Sequence, residues 1–150
     1  MNYKKIFFLG ILLWLVTALF MWLSCGWLFE WIYKVSPTKL WESHKVIMKL
    51  PNVIGRNFFC LLHSWIFVFV YALLYKGVPV NGYKKGIVFG SLVWLLSSFT
   101  GFAMLGFIMK IAKGVIIYWI LQSLILNWIK GFIVGIWYHP KIKIEEDIVE

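Results

Sequence analysis

Charge is scarce in this chain, and negative charge is scarcer: 14% of the 150 residues are charged, with 6 Asp plus Glu against 15 Lys plus Arg. A soluble domain covers its surface with polar side chains, yet 62% of these residues are hydrophobic, against roughly 45–50% in ordinary globular chains. With mean hydropathy at +0.84, a soluble globular protein is excluded, and the surplus apolar surface must face lipid. Cysteine is also nearly absent. Cys25 and Cys60 are too few, and lie too far inside apolar runs, to form the disulfide framework of a secreted domain. Missing as well are Cys-x-x-Cys, His-x-x-x-His, Gly-x-Ser-x-Gly and a phosphate loop, the fixed spacings that metal, thiol, serine and nucleotide chemistry use.

What the chain has in quantity is long apolar runs. Four of them, about residues 6–33, 57–75, 86–109 and 114–138, exceed the roughly 20 helical residues that cross a hydrocarbon core. They are continuously apolar rather than alternating, which excludes barrel strands. The expected fold is therefore all-α: a four-helix transmembrane bundle in one integral membrane domain covering residues 1–150. The first run continues through Cys25 to Gly26-Trp27-Leu28-Phe29, too long for a signal peptide and too bulky at Trp22 and Leu23 for cleavage, so it reads as a retained span. The formal charge of +9 would suggest nucleic acid in a soluble protein. Here the cations sit between apolar runs, where they meet anionic headgroups, and no nucleic-acid partner is expected.

Between the first two runs, Ser36-Pro37 has the form of a helix N-cap followed by proline at the first position. Leu40, Trp41, His44, Ile47 and Met48 share one face after it, predicting an interfacial amphipathic helix over about 37–50 or one packed across the bundle end. Pro79 and Asn81-Gly82 mark a turn between spans two and three, while the short link Lys110-Ile111-Ala112-Lys113 predicts an antiparallel hairpin of spans three and four. Residues 139–150 form a polar tail. Basic residues divide evenly between the two sides, so the Lys4-Lys5 pair alone favours cytoplasmic termini. The even split also leaves dual-topology dimerisation open.

Helices in lipid pack where small residues allow close approach. Gly86, Gly90, Ser97 and Gly101 form such a stripe on span three, with Gly131 and Gly135 on span four; they serve an internal contact or a homodimer face. Of ten tryptophans, Trp27, Trp31, Trp41 and Trp137 fall at expected interfaces, and Trp14, Trp94 and Trp128 nearer the span centres.

Two groups of polar residues could carry chemistry. Ser123, Asn127 and Lys130 share one side of span four, with Gln122 beside them. Lys130 either holds an anion that Gln122 and Asn127 orient, or snorkels to the nearer interface while those amides bond across helices. The second group is Cys25, Cys60 and His63, expected at one membrane face with Glu30 and His44 near it. A metal, a haem or a Cys25–Cys60 disulfide is conceivable there; two buried thiols are the plain alternative. No redox-active cysteine pair fits a four-helix quinone-linked thiol oxidase, and no carboxylate in span one fits a small multidrug transporter.

The end of span four, Gly131-Phe132-Ile133-Val134-Gly135-Ile136-Trp137-Tyr138-His139-Pro140, together with the glycine-rich third span, resembles uncharacterised small four-span bacterial membrane proteins. The resemblance implies the architecture and a bacterial cell-membrane setting, with no activity and no site attached. The function expected is noncatalytic: contact with lipid, a second copy of the chain or a membrane partner, without a cofactor. The alternatives are transport or binding of a small molecule beside Lys130, Asn127 and Gln122, and a redox or metal site at Cys25, Cys60 and His63.

Overall fold

A computed structural model describes residues 2–37, 42 and 44–138, all helical or irregular, with no strand among them. The helices are α1 (Tyr3–Leu23), α2 (His44–Ile47), α3 (Leu50–Leu74), α4 (Gly82–Val93), α5 (Thr100–Ile108) and α6 (Lys113–Trp137). Wide π-helical segments at Ser24–Leu28 and Trp94–Phe99 extend α1 and join α4 to α5. Four continuous helices result, Tyr3–Leu28, Leu50–Leu74, Gly82–Ile108 and Lys113–Trp137, each long and apolar enough to span a membrane.

The first span is shorter than its sequence run, because Phe29 leaves helical geometry and Glu30–Lys34 forms a separate 3-10 turn. The second starts earlier than expected. Lys49 is extended and Pro51 occupies the first turn of α3, where a missing N–H costs nothing, so Leu50-Pro51 opens a span instead of ending a surface helix. Of the interfacial helix expected over 37–50, only His44–Ile47 is helical among the described residues; 38–41 and 43, including Leu40 and Trp41, lie outside them, as does the tail at 139–150.

The chain folds as two antiparallel hairpins. α3 returns along α1, where the Trp65 indole stacks on Phe7 at 5.6 Å and its Nε1 donates to the Phe7 carbonyl at 3.2 Å. α6 returns along α4 and meets it backbone to backbone. A Cβ on Gly86 would collide with the Gly131 carbonyl, one on Gly131 with the Gly86 carbonyl, one on Gly90 with the Asn127 carbonyl, and one on Gly135 with Tyr83. The other half of the expected small-residue stripe does not join this contact. Gly101 has open space where a Cβ would stand, and Ser97 is exposed, its hydroxyl donating to the Val93 carbonyl at 2.7 Å. The cause is the π segment between them: its wider turn shifts the helical phase, rotating Ser97 and Gly101 off the side that Gly86 and Gly90 present to α6.

The hairpins join through one core near the end of the bundle that holds both described chain ends. Ile6, Leu9 and Leu13 of α1, Phe67, Val68 and Tyr71 of α3, Phe89 of α4, and Val134 with Tyr138 make it up. Tyr71 is its hub, with ring centroids 5.2 Å from Phe89, 5.8 Å from Tyr75 and 5.9 Å from Tyr138. Outside it the chain is apolar and uncovered: Phe107 is 93% exposed and Leu96 77%, exposures that suit lipid and not water.

Gly86→Leu or Gly131→Leu should therefore lower stability by about 1–3 kcal/mol or more through overpacking, read as a drop in thermal unfolding midpoint in detergent. Gly101→Leu should leave the midpoint unchanged.

Candidate functional site

α6 carries the polar interior. Its inward face runs through Gln122, Asn127, Lys130, Gly131 and Val134, all buried. The structure divides the residues singled out in the sequence between two levels of the bundle.

At the end away from the chain termini, Gln122 is committed to α1. Its Nε2 donates to Ser24 Oγ at 2.6 Å and to Cys25 Sγ at 2.9 Å. One turn earlier, Tyr118 Oη donates to the Ser24 carbonyl at 3.0 Å. That carbonyl also accepts the π-type bond from the Phe29 N–H at 3.1 Å, so Tyr118 uses its second lone pair. Tyr33 closes the cluster: its hydroxyl donates to Cys25 Sγ at 3.3 Å and accepts from Trp119 Nε1 at 3.2 Å. Burial is the main cause that pushes the Tyr33 phenol well above its ordinary value, and the hydrogen bond to Cys25 adds to it. Gln122 thus acts as an interhelical tie in this structure, apart from Lys130.

Toward the other end, Lys130 is 3% exposed. It does not snorkel to the surface. Its ammonium lies 5.9 Å from the centroid of the Phe67 ring, within cation–π range, and is an electrostatic neighbour of Cys60 and His63. Only two carboxylates fall among the described residues. Glu30 pairs with Lys34 at 3.2 Å, and Glu42 lies in the first connection, so neither is a partner for Lys130. One turn away the Asn127 Nδ2 donates to the Ser123 carbonyl at 2.8 Å, while its Oδ1 is buried with no hydrogen-bond partner among the described residues.

Cys25, Cys60 and His63 are not brought together. Because α3 starts at Leu50, Cys60 and His63 lie ten and thirteen residues inside it, about 15 and 20 Å along the axis. They are near mid-span, while Cys25 lies in the last turns of span one. Both cysteines are free thiols, and no group of three His, Cys, Asp or Glu side chains is placed to hold a metal among the described residues. Glu30 pairs with Lys34 instead of approaching that trio, and the side chain of His44 lies outside the described set. His63 is exposed on the flank of α3.

Lys85 has a role that the sequence reading assigned only to loop charge. It is 6% exposed, donates to the Tyr75 carbonyl at 2.8 Å, and stands 4.2 Å over the Tyr75 ring. It caps the C-terminus of α3, where a cation meets unsatisfied carbonyls. Its spacing of four from buried Phe89 on the glycine face was the available signal. Among the tryptophans, Trp94 Nε1 donates to the Ile120 carbonyl at 3.0 Å and Trp128 Nε1 to Ser91 Oγ at 2.8 Å, both ties between spans three and four. Trp27, Trp31 and Trp137 are exposed.

No protein-family model, curated protein or solved structure matches this chain. The arrangement itself offers hydrogen-bonded interhelical ties, a caged cation and an exposed mid-span imidazole.

Because a raised phenol stays protonated through its ordinary titration range, near 10 for tyrosine, Tyr33 should be missing from the phenols that ionise there. An ultraviolet titration of Tyr33→Phe should match the wild type around pH 10 and differ only at higher pH. A lost phenol in the ordinary range would contradict the burial of Tyr33.

Proposed function

We propose that this is a noncatalytic multi-pass membrane protein that works through lateral contact within the bilayer, with a second copy of itself or a membrane partner, in a setting rich in anionic lipid. The observation that carries this reading is the placement of His63, exposed on the flank of α3 near mid-span and without a hydrogen bond among the described residues. Even a neutral imidazole has a donor and an acceptor. Leaving both in hydrocarbon is costly, and intramembrane histidines face protein or water in nearly all cases. A protein surface placed over α3 supplies what lipid tails do not. Orientation with cytoplasmic termini in a bacterial cell membrane belongs to the same proposal, supported by Lys4 and Lys5.

A second reading is supported by Lys130. A buried lysine without a carboxylate, beside an unpartnered amide oxygen, is a place where a small anionic or amphipathic molecule or water can complete the polar shell.

Native mass spectrometry of the gently purified protein addresses both. Under the lateral-contact reading, the wild type carries a second copy or a stoichiometric protein subunit, and His63→Leu loses it while remaining folded; a wild-type monomer, or an assembly indifferent to His63→Leu, removes the reading. Under the second, a retained small molecule disappears in Lys130→Met while the assembly persists.

A further inference from the structure

The spans supply no counterion for Lys130. All the acids of the chain, Glu30, Glu42, Glu145, Glu146, Asp147 and Glu150, lie outside the four spans, so the spans of a second copy bring no carboxylate to its level either. Lys130 is 3% exposed and makes no hydrogen bond or ion pair among the described residues, an arrangement that is costly in hydrocarbon. Three residues away on the same helix face, Asn127 Oδ1 is buried and lacks a donor among those residues. The open side of this polar floor is the seam between α3 and α6. On α3, Phe67, His63, Cys60 and Arg56 recur every three or four residues and so share a side; Phe67 meets the Lys130 ammonium, and Cys60 and His63 are its electrostatic neighbours. At Phe67 and Val134 the seam is closed by the core. Toward the start of α3 it opens: none of residues 50–63 is buried, and along its length α3 packs against α1, not α6. Phe59 and Ile66, one turn to either side of exposed His63, are 68% and 52% exposed, so the seam leads sideways to a surface that suits hydrocarbon.

We propose that this seam binds an amphipathic monocarboxylate, an alkyl chain ending in a single carboxylate, with the carboxylate on Lys130 and the chain leaving past His63 along Phe59 and Ile66. The proposal rests on the ligand reading of Lys130 and names the chemical class of that ligand. One ammonium is uncompensated at this depth, which selects a single negative charge. Its three N–H donors let it serve the carboxylate and the donor-starved Asn127 Oδ1 together. Burial selects a compact head: at 3% exposure the ammonium offers no face for a partner helix to lie against, whereas a carboxylate on a thin chain reaches it. Depth selects the tail, because an alkyl chain keeps its carboxylate within the bilayer, while a soluble anion must leave water to reach mid-span.

The test is equilibrium binding of radiolabelled dodecanoate to the full chain in nonionic detergent, with dodecanol, acetate and phosphatidylglycerol as competitors. Dodecanoate should bind saturably, one molecule per chain, and each competitor should be weaker by about tenfold or more, lacking the charge, the tail or the compact head. Lys130→Met should weaken dodecanoate by a similar factor, about tenfold or more, without lowering the thermal unfolding midpoint, since it removes an uncompensated buried charge. The competition series is read on the wild type and stands whatever becomes of the variant. Absence of saturable binding overturns the proposal, as does binding unchanged in a folded Lys130→Met protein. So does equal competition by dodecanol, which would mean apolar partitioning alone, by acetate, which would mean a soluble-anion site, or by phosphatidylglycerol, which would mean a lipid-phosphate site. A copurified protein subunit that Lys130→Met releases also overturns it, by making the partner the counterion. If native mass spectrometry shows a small molecule that Lys130→Met releases, yet dodecanoate neither binds nor displaces it, this inference falls and the ligand reading stands; if no Lys130-dependent molecule is found and dodecanoate does not bind, both fall.

Discussion

The polar face of α6 is positioned by the close approach of that helix to α4. Gly86 and Gly90 admit the backbone of α6 at Gly131 and Asn127, and Gly131 returns the approach at Gly86. Lipid tails are as apolar as leucine, so two such helices gain little from burying side chains and gain most from packing at short range. This contact fixes the rotation of α6 about its own axis. With Gly131 against α4, Asn127, Lys130 and Val134 turn into the interior, and Lys130 meets the Phe67 ring of α3. Hence the burial of a lysine here follows from the glycine contact; side-chain chemistry alone would have sent it to the interface.

The two π segments localise the second constraint. Each lies opposite the first half of α6: Ser24–Leu28 faces Tyr118 and Gln122, and Trp94–Phe99 sends the Trp94 indole to the Ile120 carbonyl. Around this half of α6 no glycine meets its backbone, Gly106 facing only the Ile116 side chain, and hydrogen bonds from Tyr118, Gln122 and Trp94 link the helices. Such bonds contribute roughly 0.6 kcal/mol on average in membranes, so their number matters more than any one of them. The bundle is thus close-packed at the end bearing Gly131 and Tyr138, and tied by longer side chains at the end bearing Ser24 and Gln122.

Length and hydropathy made the four spans legible, and the short Lys110–Lys113 link made the second hairpin legible too. Half of the span-three stripe was not. Gly86, Gly90, Ser97 and Gly101 follow ordinary helical spacing in the sequence, and a π turn changes phase without leaving a mark in the residue types of Trp94–Phe99. The start of span two was not legible either, because the continuous apolar run begins at about residue 57 while the helix opens seven residues earlier, at Leu50-Pro51. That error carried to the candidate site. Shifting the start of span two to Leu50 moves Cys60 and His63 from a membrane face, beside Cys25, to mid-span. Gln122 and Lys130, neighbours in the sequence reading, separate because eight residues of helix place them at the two differently packed levels.

The inside and the outside of the bundle then present opposite anomalies. Lys130 carries a charge into a protein interior, where ring faces and neighbouring dipoles offset part of its desolvation. His63 carries weaker polarity onto a surface with no such offset. Per group the lysine would cost more in hydrocarbon, yet it is the one already enclosed, since α1, α3, α4 and α6 all contribute to the core around its level. The exposed polar group is therefore His63 on the flank of α3, while the inward face of that helix, through Phe67, Val68 and Tyr71, joins the core shared by all four spans. The polar group left on an outer flank, His63, is the one that the proposed lateral contact would enclose.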